Sequence, residues 1–502
     1  MMSGDTLLIA IPFIAYILGM LFIGFYHYRR TRNLNDYILG GRGLGHWVAA
    51  LSAQASDMSG WLLLGLPGYA YLAGVEAVWI AFGLIIGTWV NWRYVARRLR
   101  IFTEIADNAI TLPDYFENRF GAKTRELRLF SALFILIFFT IYTASGFVAG
   151  AKLFESVFGF WYGYALIIGI LIIISYTFLG GFLAVCWTDF FQGMIMFMAI
   201  LIVPVLAMLK GNGSPIEPVR NFNPEALKLF TDASGETLGI LGIISLMAWG
   251  LGYFGQPHIL ARFMAVKKPA DIPRARRIAM IWVVLSLAGA VLIGLTAHGV
   301  LTENLNKENS ETVFMVLVGK HELVPPMVAG FLLAAVLAAI MSTADSQLLV
   351  ASSVIAEDLY SKIFRKNADP SSLIWLSRFS VIIIAEIAFI IALDPESSVL
   401  DLVAYAWAGF GASFGPLILF SLFWKRMTQI GALWGIISGG ITVLLWKHFS
   451  GGIFNLYEIV PGFLVSSLMI IFCSLIDNPP PAAVYRQFAK LQERIQMYKK
   501  SK

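Results

Sequence analysis

Asp57 is a carboxylate in the middle of an apolar stretch, crowded by Ser52, Gln54, Ser56, Ser59 and Gly60 and followed by Gly65, Pro67 and Gly68. An ionisable side chain at the centre of a membrane-length segment costs at least about 2.5–3.5 kcal/mol, so a function is its default reading. The plain alternative is a carboxylate paired with another helix. Glycine and proline loosen the helical ladder, and carbonyls freed at membrane depth need a partner, which a cation can supply. A second cluster lies in Ala339-Ile340-Met341-Ser342-Thr343-Ala344-Asp345-Ser346. Serine and threonine in membrane helices usually bond back to their own carbonyls. Two adjacent hydroxyls within a turn of Asp345 and Ser346, however, make a compact set of hard oxygens, which suits sodium better than a transition metal. The third feature is aromatic. Tyr142 lies in Tyr142-Thr143-Ala144-Ser145-Gly146, and Trp249, Tyr253 and Pro257 lie in a glycine-interrupted run. Trp249 and Tyr253 stand four apart, which predicts a shared helix face. Aromatic faces hold an apolar ring and attract its ammonium group. Many of the 14 tryptophans are explained by the membrane interface, but a pair interrupted by glycines points to a broken helix at a midplane site.

These residues need elements to position them, and composition says what kind. Of 502 residues, 58% are hydrophobic and 14% charged, with a mean hydropathy of +0.75. A water-facing globule carries nearer a quarter charged residues, so lipid is the solvent here. The formal charge of +6 therefore reports loop placement and not nucleic-acid binding. Apolar runs predict thirteen transmembrane helices near 6–26, 46–74, 76–96, 127–155, 161–179, 183–209, 238–257, 278–300, 326–356, 373–393, 399–424, 431–448 and 458–476. Cationic loops test the arrangement. With the N-terminus outside, only seven of the 37 Lys and Arg fall outside: Lys152, Lys210, Arg220, Lys228, Lys307, Lys320 and Lys447. The inner loops hold Arg97, Arg98 and Arg100, then Lys267, Lys268, Arg274, Arg276 and Arg277. The expected topology is N-out, C-in, in a plasma membrane, as one transmembrane domain over 1–476 with a cytoplasmic tail at 477–502. Arg29, Arg30 and Arg32 after the first run mark a retained helix and not a signal peptide.

The remaining chemistry is sparse. Cys186 and Cys473 are the only cysteines, which argues against a disulfide framework or thiolate metal site. The six histidines are scattered and read as surface or interfacial. No phosphate-binding Walker pattern occurs, so an ion gradient is the expected energy source. Glu76 and Asp401 read as interfacial. Asp189 reads either as interfacial or as a lower station on an ion exit path.

Several motifs resemble the sodium:solute symporter family, above all its bacterial proline-transporting branch. They are Asp36-Tyr37-Ile38-Leu39-Gly40-Gly41-Arg42, the segment Ser52 to Gly65, Tyr176 to Ala184, Gly250 to Ala265 and Ala338 to Thr343. The resemblance runs over nearly the whole chain. It implies an all-α polytopic fold with a five-plus-five inverted-repeat (LeuT-like) core and broken helices, over about 46–209 and 238–424, with one helix before and two after. It implies a sodium site made by the carbonyls of Ala55, Met58 and Ala339 and the hydroxyls of Ser342 and Thr343. The adjacent carboxylate is Asp57, and Asp189 belongs to the inner ion pathway. It implies a proline site at Asp57, Ser59, Trp61, Gly65, Tyr142, Trp249, Tyr253 and Pro257, with Ser346 at its edge. The implied activity is proline import coupled to inward sodium movement by alternating access. Competing readings are a symporter of another solute (pantothenate, a monocarboxylate or a sugar), proton coupling, a membrane sensor, and a polytopic enzyme. No catalytic constellation is visible for the last, so the chain is not read as an enzyme.

Overall fold

A membrane helix can break only where its freed carbonyls find protein partners, and the fold is arranged around two such breaks. The computed structural model describes residues 4–28, 34–122, 124–178, 181–211, 213–232, 234–320, 323–364 and 369–500. The expected cluster Arg29, Arg30 and Arg32, and Leu179-Gly180 of the Tyr176–Ala184 motif, lie outside the described residues. Among those described the structure is helical, with only isolated bridges between Leu44 and Val266 and between Thr231 and Thr237.

Ten helices are long and apolar enough to cross a membrane, or eleven if Gly239–Phe254 and Pro257–Ala265, bent by 43°, form one span. The expected thirteen are not reached by that measure, for two reasons. The segment expected at 46–74 splits, leaving His46–Asp57 at 12 residues, and its second part joins the segment expected at 76–96 in Gly60–Ile105, 46 residues long. A straight helix of that length would measure about 69 Å, over twice the hydrocarbon thickness. The 3-10 turn Gly74–Ala77 divides it, entered through Gly74 at φ 71°, a left-handed value that glycine adopts freely. The segment expected at 161–179 forms Tyr162–Thr177, 16 residues.

Helix His46–Asp57 is central. It packs against Phe182–Lys210, Ile272–Ala297, Pro326–Ser353 and Pro257–Ala265, and the turn Gly60–Leu63 continues it against Glu126–Phe158 and Val399–Phe423. All its residues from Val48 to Asp57 are buried. The first helix, Gly4–Tyr28, instead exposes Leu7, Ile14, Leu18 and Phe22, as a lipid-facing helix does. A close approach brings the second break against helix Val78–Val90. A Cβ on Gly87 would overlap the carbonyl of Gly250, and a Cβ on Gly250 that of Gly83. Backbones can meet this closely only through small residues. The polar tail forms a helix, Ala482–Lys500, docked by Phe488 on Phe102 at 5.8 Å and by Arg494 on Glu104 at 3.0 Å.

Candidate functional site

The first break falls at Met58 and Ser59, whose ψ values of 77° and −162° are not helical. In an unbroken helix the Ser59 N–H would reach back to the Ala55 carbonyl. It donates instead to the Asp57 carbonyl, at 3.1 Å. The Ala55 carbonyl is therefore released, and two hydroxyls from Pro326–Ser353 take it up: Ser342 at 2.8 Å and Thr343 at 3.5 Å. Ser342 also reaches the Ala339 carbonyl at 3.1 Å. Four of the five residues of the expected sodium cage thus form one network, 287 residues apart in sequence at its shortest bond. Met58, the fifth, is fully buried at the break itself.

Asp57 ends the helix beside this cluster. Its carbonyl accepts from the Trp61 indole and the Tyr142 hydroxyl, both at 3.3 Å. Its carboxylate accepts from the Tyr253 hydroxyl at 2.7 Å through Oδ2, while Oδ1 is buried with no hydrogen-bond partner among the described residues. The side-chain pairing that sequence left as the plain alternative is therefore present, but the partner is itself a candidate site residue.

The second break explains the aromatic pair. Ala248–Phe254 is a 3-10 helix, followed by Gly255 and Gln256, and Pro257 starts the next helix. Residues four apart are not eclipsed in a 3-10 helix, yet Trp249 and Tyr253 both pack on Trp407. Its ring lies 6.5 Å from Trp249 and 5.1 Å from Tyr253, and its indole N–H donates to the Trp249 carbonyl at 2.7 Å. Asn91 donates to the Tyr253 carbonyl at 2.9 Å and Gln256 to that of Gly252 at 3.2 Å. Carbonyls at the break are thus met by side chains as well as backbone, as a lipid environment demands. Trp61 reaches across from the first break to Trp249, ring centroids 6.0 Å apart, and Tyr457 packs on Trp249 at 5.7 Å.

The structure brings Asp57, Ser59, Trp61, Tyr142, Trp249 and Tyr253 together around the first break, where Ser59 caps the short turn. Gly65 lies one turn further on, and a Cβ there would press on Leu400 at 3.1 Å. Pro257 lines a small cavity with Ile38, Thr111, Pro113, Ala261 and Met264. Ser346 joins a different group: its hydroxyl accepts from Arg262 and donates to Asp345 at 3.3 Å. Every candidate residue is buried.

Asp189 is fully buried, paired with Arg262 at 3.0 Å and bonded by Ser52 at 2.6 Å. Arg262 was missed by sequence reasoning, which counted it as one more inner-side cation. It is fully buried, and also donates to the Ser52 hydroxyl at 3.1 Å and the His258 carbonyl at 3.0 Å. The available signal was its flanks, Ile259 to Ala261 and Phe263 to Ala265, which are apolar. His258 is buried, against Phe139 at 5.6 Å. Glu76 lies in the turn Gly74–Ala77 at a helix end, bonded by the Tyr69 hydroxyl. Trp407 and Tyr457 carried no signal beyond that of an interfacial aromatic.

A family model described as the sodium:solute symporter family matches residues 37–439. The Sodium/proline symporter of Escherichia coli (strain K12) is 51% identical over 488 residues, covering 96% of this chain and 95% of its own. The high-affinity proline transporter PutP of Bacillus subtilis (strain 168) is 49% identical over 477 residues, covering 94% and 99%. A solved Na+-coupled sialic acid symporter, in a substrate-bound outward-open state, superposes with a TM-score of 0.79 at 19% identity, covering 94% of this chain and 99% of that one. A nucleobase-cation-symport-1 family transporter in a closed conformation gives 0.55 at 14% identity, covering 90% and 98%. The structural likenesses carry the fold.

Proposed function

The chain belongs to the sodium:solute symporter family, and on that footing we propose that it imports L-proline with sodium by alternating access. Its relatives at about half identity over nearly full length are sodium/proline symporters, and the arrangement of its own residues supports the same activity. The observation that carries the reading is that one helix break serves both ligands. The break releases the Ala55 carbonyl to Ser342 and Thr343 and places Asp57 against Tyr253.

Sodium takes the oxygens of Ala55, Ala339, Ser342, Thr343 and Met58. The two hydroxyls now donate to carbonyls, and on binding they rotate to present lone pairs to the ion. With the Ala55 carbonyl facing a cation, helix His46–Asp57 is held against Pro326–Ser353. That steadies Asp57, Ser59 and Trp61 opposite Tyr142, Trp249 and Tyr253, where the aromatic faces enclose the pyrrolidine ring. Proline tightens sodium by the same factor that sodium tightens proline, because linkage is reciprocal. Ion release toward the cytoplasm runs past Asp189, where sodium competes with the Arg262 guanidinium for the carboxylate. The N-terminus lies outside and the tail inside the plasma membrane, a reading supported by the segregation of Lys and Arg. A potential of 100 mV supplies about 2.3 kcal/mol per charge carried inward, enough for roughly fiftyfold accumulation with one sodium.

Purified protein in proteoliposomes tests this. An imposed inward sodium gradient is expected to drive labelled proline uptake that unlabelled proline competes away. Uptake indifferent to the gradient would end the coupling claim, and competition by pantothenate or acetate rather than proline would reassign the solute. Replacing Ser342 and Thr343 by alanine together removes two ligand oxygens and leaves the Ala55 carbonyl unbonded. At about 1–3 kcal/mol per lost buried partner, the apparent sodium affinity is expected to fall about tenfold or more, with the order of preference among solutes unchanged. An unaltered sodium response would place the cage elsewhere.

A further inference from the structure

A group of like charges stands apart from the transport site. Arg93 lies in the π-helical turn Asn91–Val95, inside the long helical stretch Gly60–Ile105. π-turns recur at functional positions. A cavity of about 440 Å³ opens between this turn, the start of helix Ile272–Ala297 and the tail helix, walled by Trp92, Arg93, Arg97, Arg276, Ile495 and Tyr498. Among the described residues no aspartate or glutamate forms an ion pair with Arg93, Arg97 or Arg276, whereas Arg100, Arg128 and Arg262 are each paired with at least one carboxylate. Arg97 feels the charges of Arg93 and Arg276, and Arg276 those of Arg93 and Arg277. Like charges held this close are unfavourable, and an anion between them reverses the sign. Pro273 in the first turn of Ile272–Ala297 lines the same cavity, so the positive end of that helix adds to the field.

We infer that this cavity binds the phosphate headgroup of an anionic membrane lipid. A free anion would need only the arginines. The helix carries more: Phe82, Ile86 and Trp89 are exposed at 47%, 42% and 44%, and with Arg93 they follow one another at helical spacing along one face. That ridge leads from the cavity into the bilayer, where it seats acyl chains. Trp89 and Tyr94 pack edge to face at 6.0 Å, and Arg93 sits over the Tyr94 ring at 5.2 Å. Such an aromatic pair marks the depth of the headgroups. Guanidinium groups bind phosphate bidentately, and basic pockets between spans on the cytoplasmic side are where acidic lipids lodge.

The test is native mass spectrometry of the full chain, delipidated and titrated with phosphatidylglycerol or phosphatidylcholine. The wild type is expected to retain phosphatidylglycerol and not phosphatidylcholine. The R93Q/R97Q/R276Q variant is expected to bind phosphatidylglycerol roughly a hundredfold more weakly, from three lost cationic contacts. R274Q/R486Q/K490Q, which removes three exposed charges, is expected to match the wild type. R276Q alone, expected to bind about fivefold more weakly, keeps the comparison if the triple variant does not fold. Equal retention by the cavity variants, equal retention of phosphatidylcholine, or displacement of the lipid by millimolar inorganic phosphate would overturn the assignment.

Discussion

Asp57→Asn will lower the apparent sodium affinity of proline uptake about a hundredfold while leaving the protein folded. Asparagine keeps an oxygen that can accept from the Tyr253 hydroxyl, now bonded to Oδ2 at 2.7 Å, so the link between the two breaks survives. What goes is the charge. One elementary charge acting over one helical turn is worth about 3 kcal/mol at an effective dielectric of about 20, and about 1.4 kcal/mol is a factor of ten. Asp57→Ala removes the acceptor as well and strands the buried tyrosine hydroxyl, at about 1–3 kcal/mol more. That variant is expected to lose proline affinity along with sodium affinity. Initial uptake rates over a sodium titration in proteoliposomes separate the two outcomes. If Asp57→Asn follows the wild-type sodium curve, the carboxylate is a structural partner of Tyr253 and the electrostatic reading of the break fails.

Arg262→Met will destabilise the protein by about 3–5 kcal/mol, the usual result of removing one partner of a buried pair. The guanidinium now serves the Asp189 carboxylate, the Ser52 and Ser346 hydroxyls and the His258 carbonyl at once. Methionine fills much of the space and replaces none of these bonds, leaving Asp189 buried without its cation. Because the penalty is that of a stranded charge, Asp189→Leu in the Arg262→Met background is expected to recover most of the stability. Thermal unfolding in detergent over the full double-mutant cycle measures the coupling. Additive losses in the two single variants would mean that the two side chains act independently.

Arg262 also shows where reading by sequence stops. A charge near the end of a helical pattern looks like any cytoplasmic cation, and apolar flanks such as those of Arg262 hint at burial without naming the partner. Asp189 was ambiguous for the same reason. The aromatic pair was legible in part: its glycines signalled a break, and Ala248–Phe254, which carries Trp249 and Tyr253, is a 3-10 helix. Those glycines are needed for a second reason that spacing does not show. Gly250 and Gly87 let two backbones touch, and Gly252 leaves room for the Trp407 ring.

By itself the sequence determined that this chain lives in lipid, that segment 46–74 is not one smooth helix, and that Ser342 and Thr343 form a hard-oxygen cluster. Each follows from local chemistry: apolar length, glycine and proline in the ladder, and two hydroxyls side by side. The motifs added the family and its expected ligand set. Tertiary structure alone decided what meets what. Ser342 reaches Ala55 across 287 residues, Tyr253 reaches Asp57 across 196, and Arg262 reaches Asp189 across 73. Such pairings arise from how helices pack, and packing is set by the shape of the whole core and not by any stretch of it. The identity of the partners that complete the site, including Trp407 and Tyr457, is for that reason written only in three dimensions.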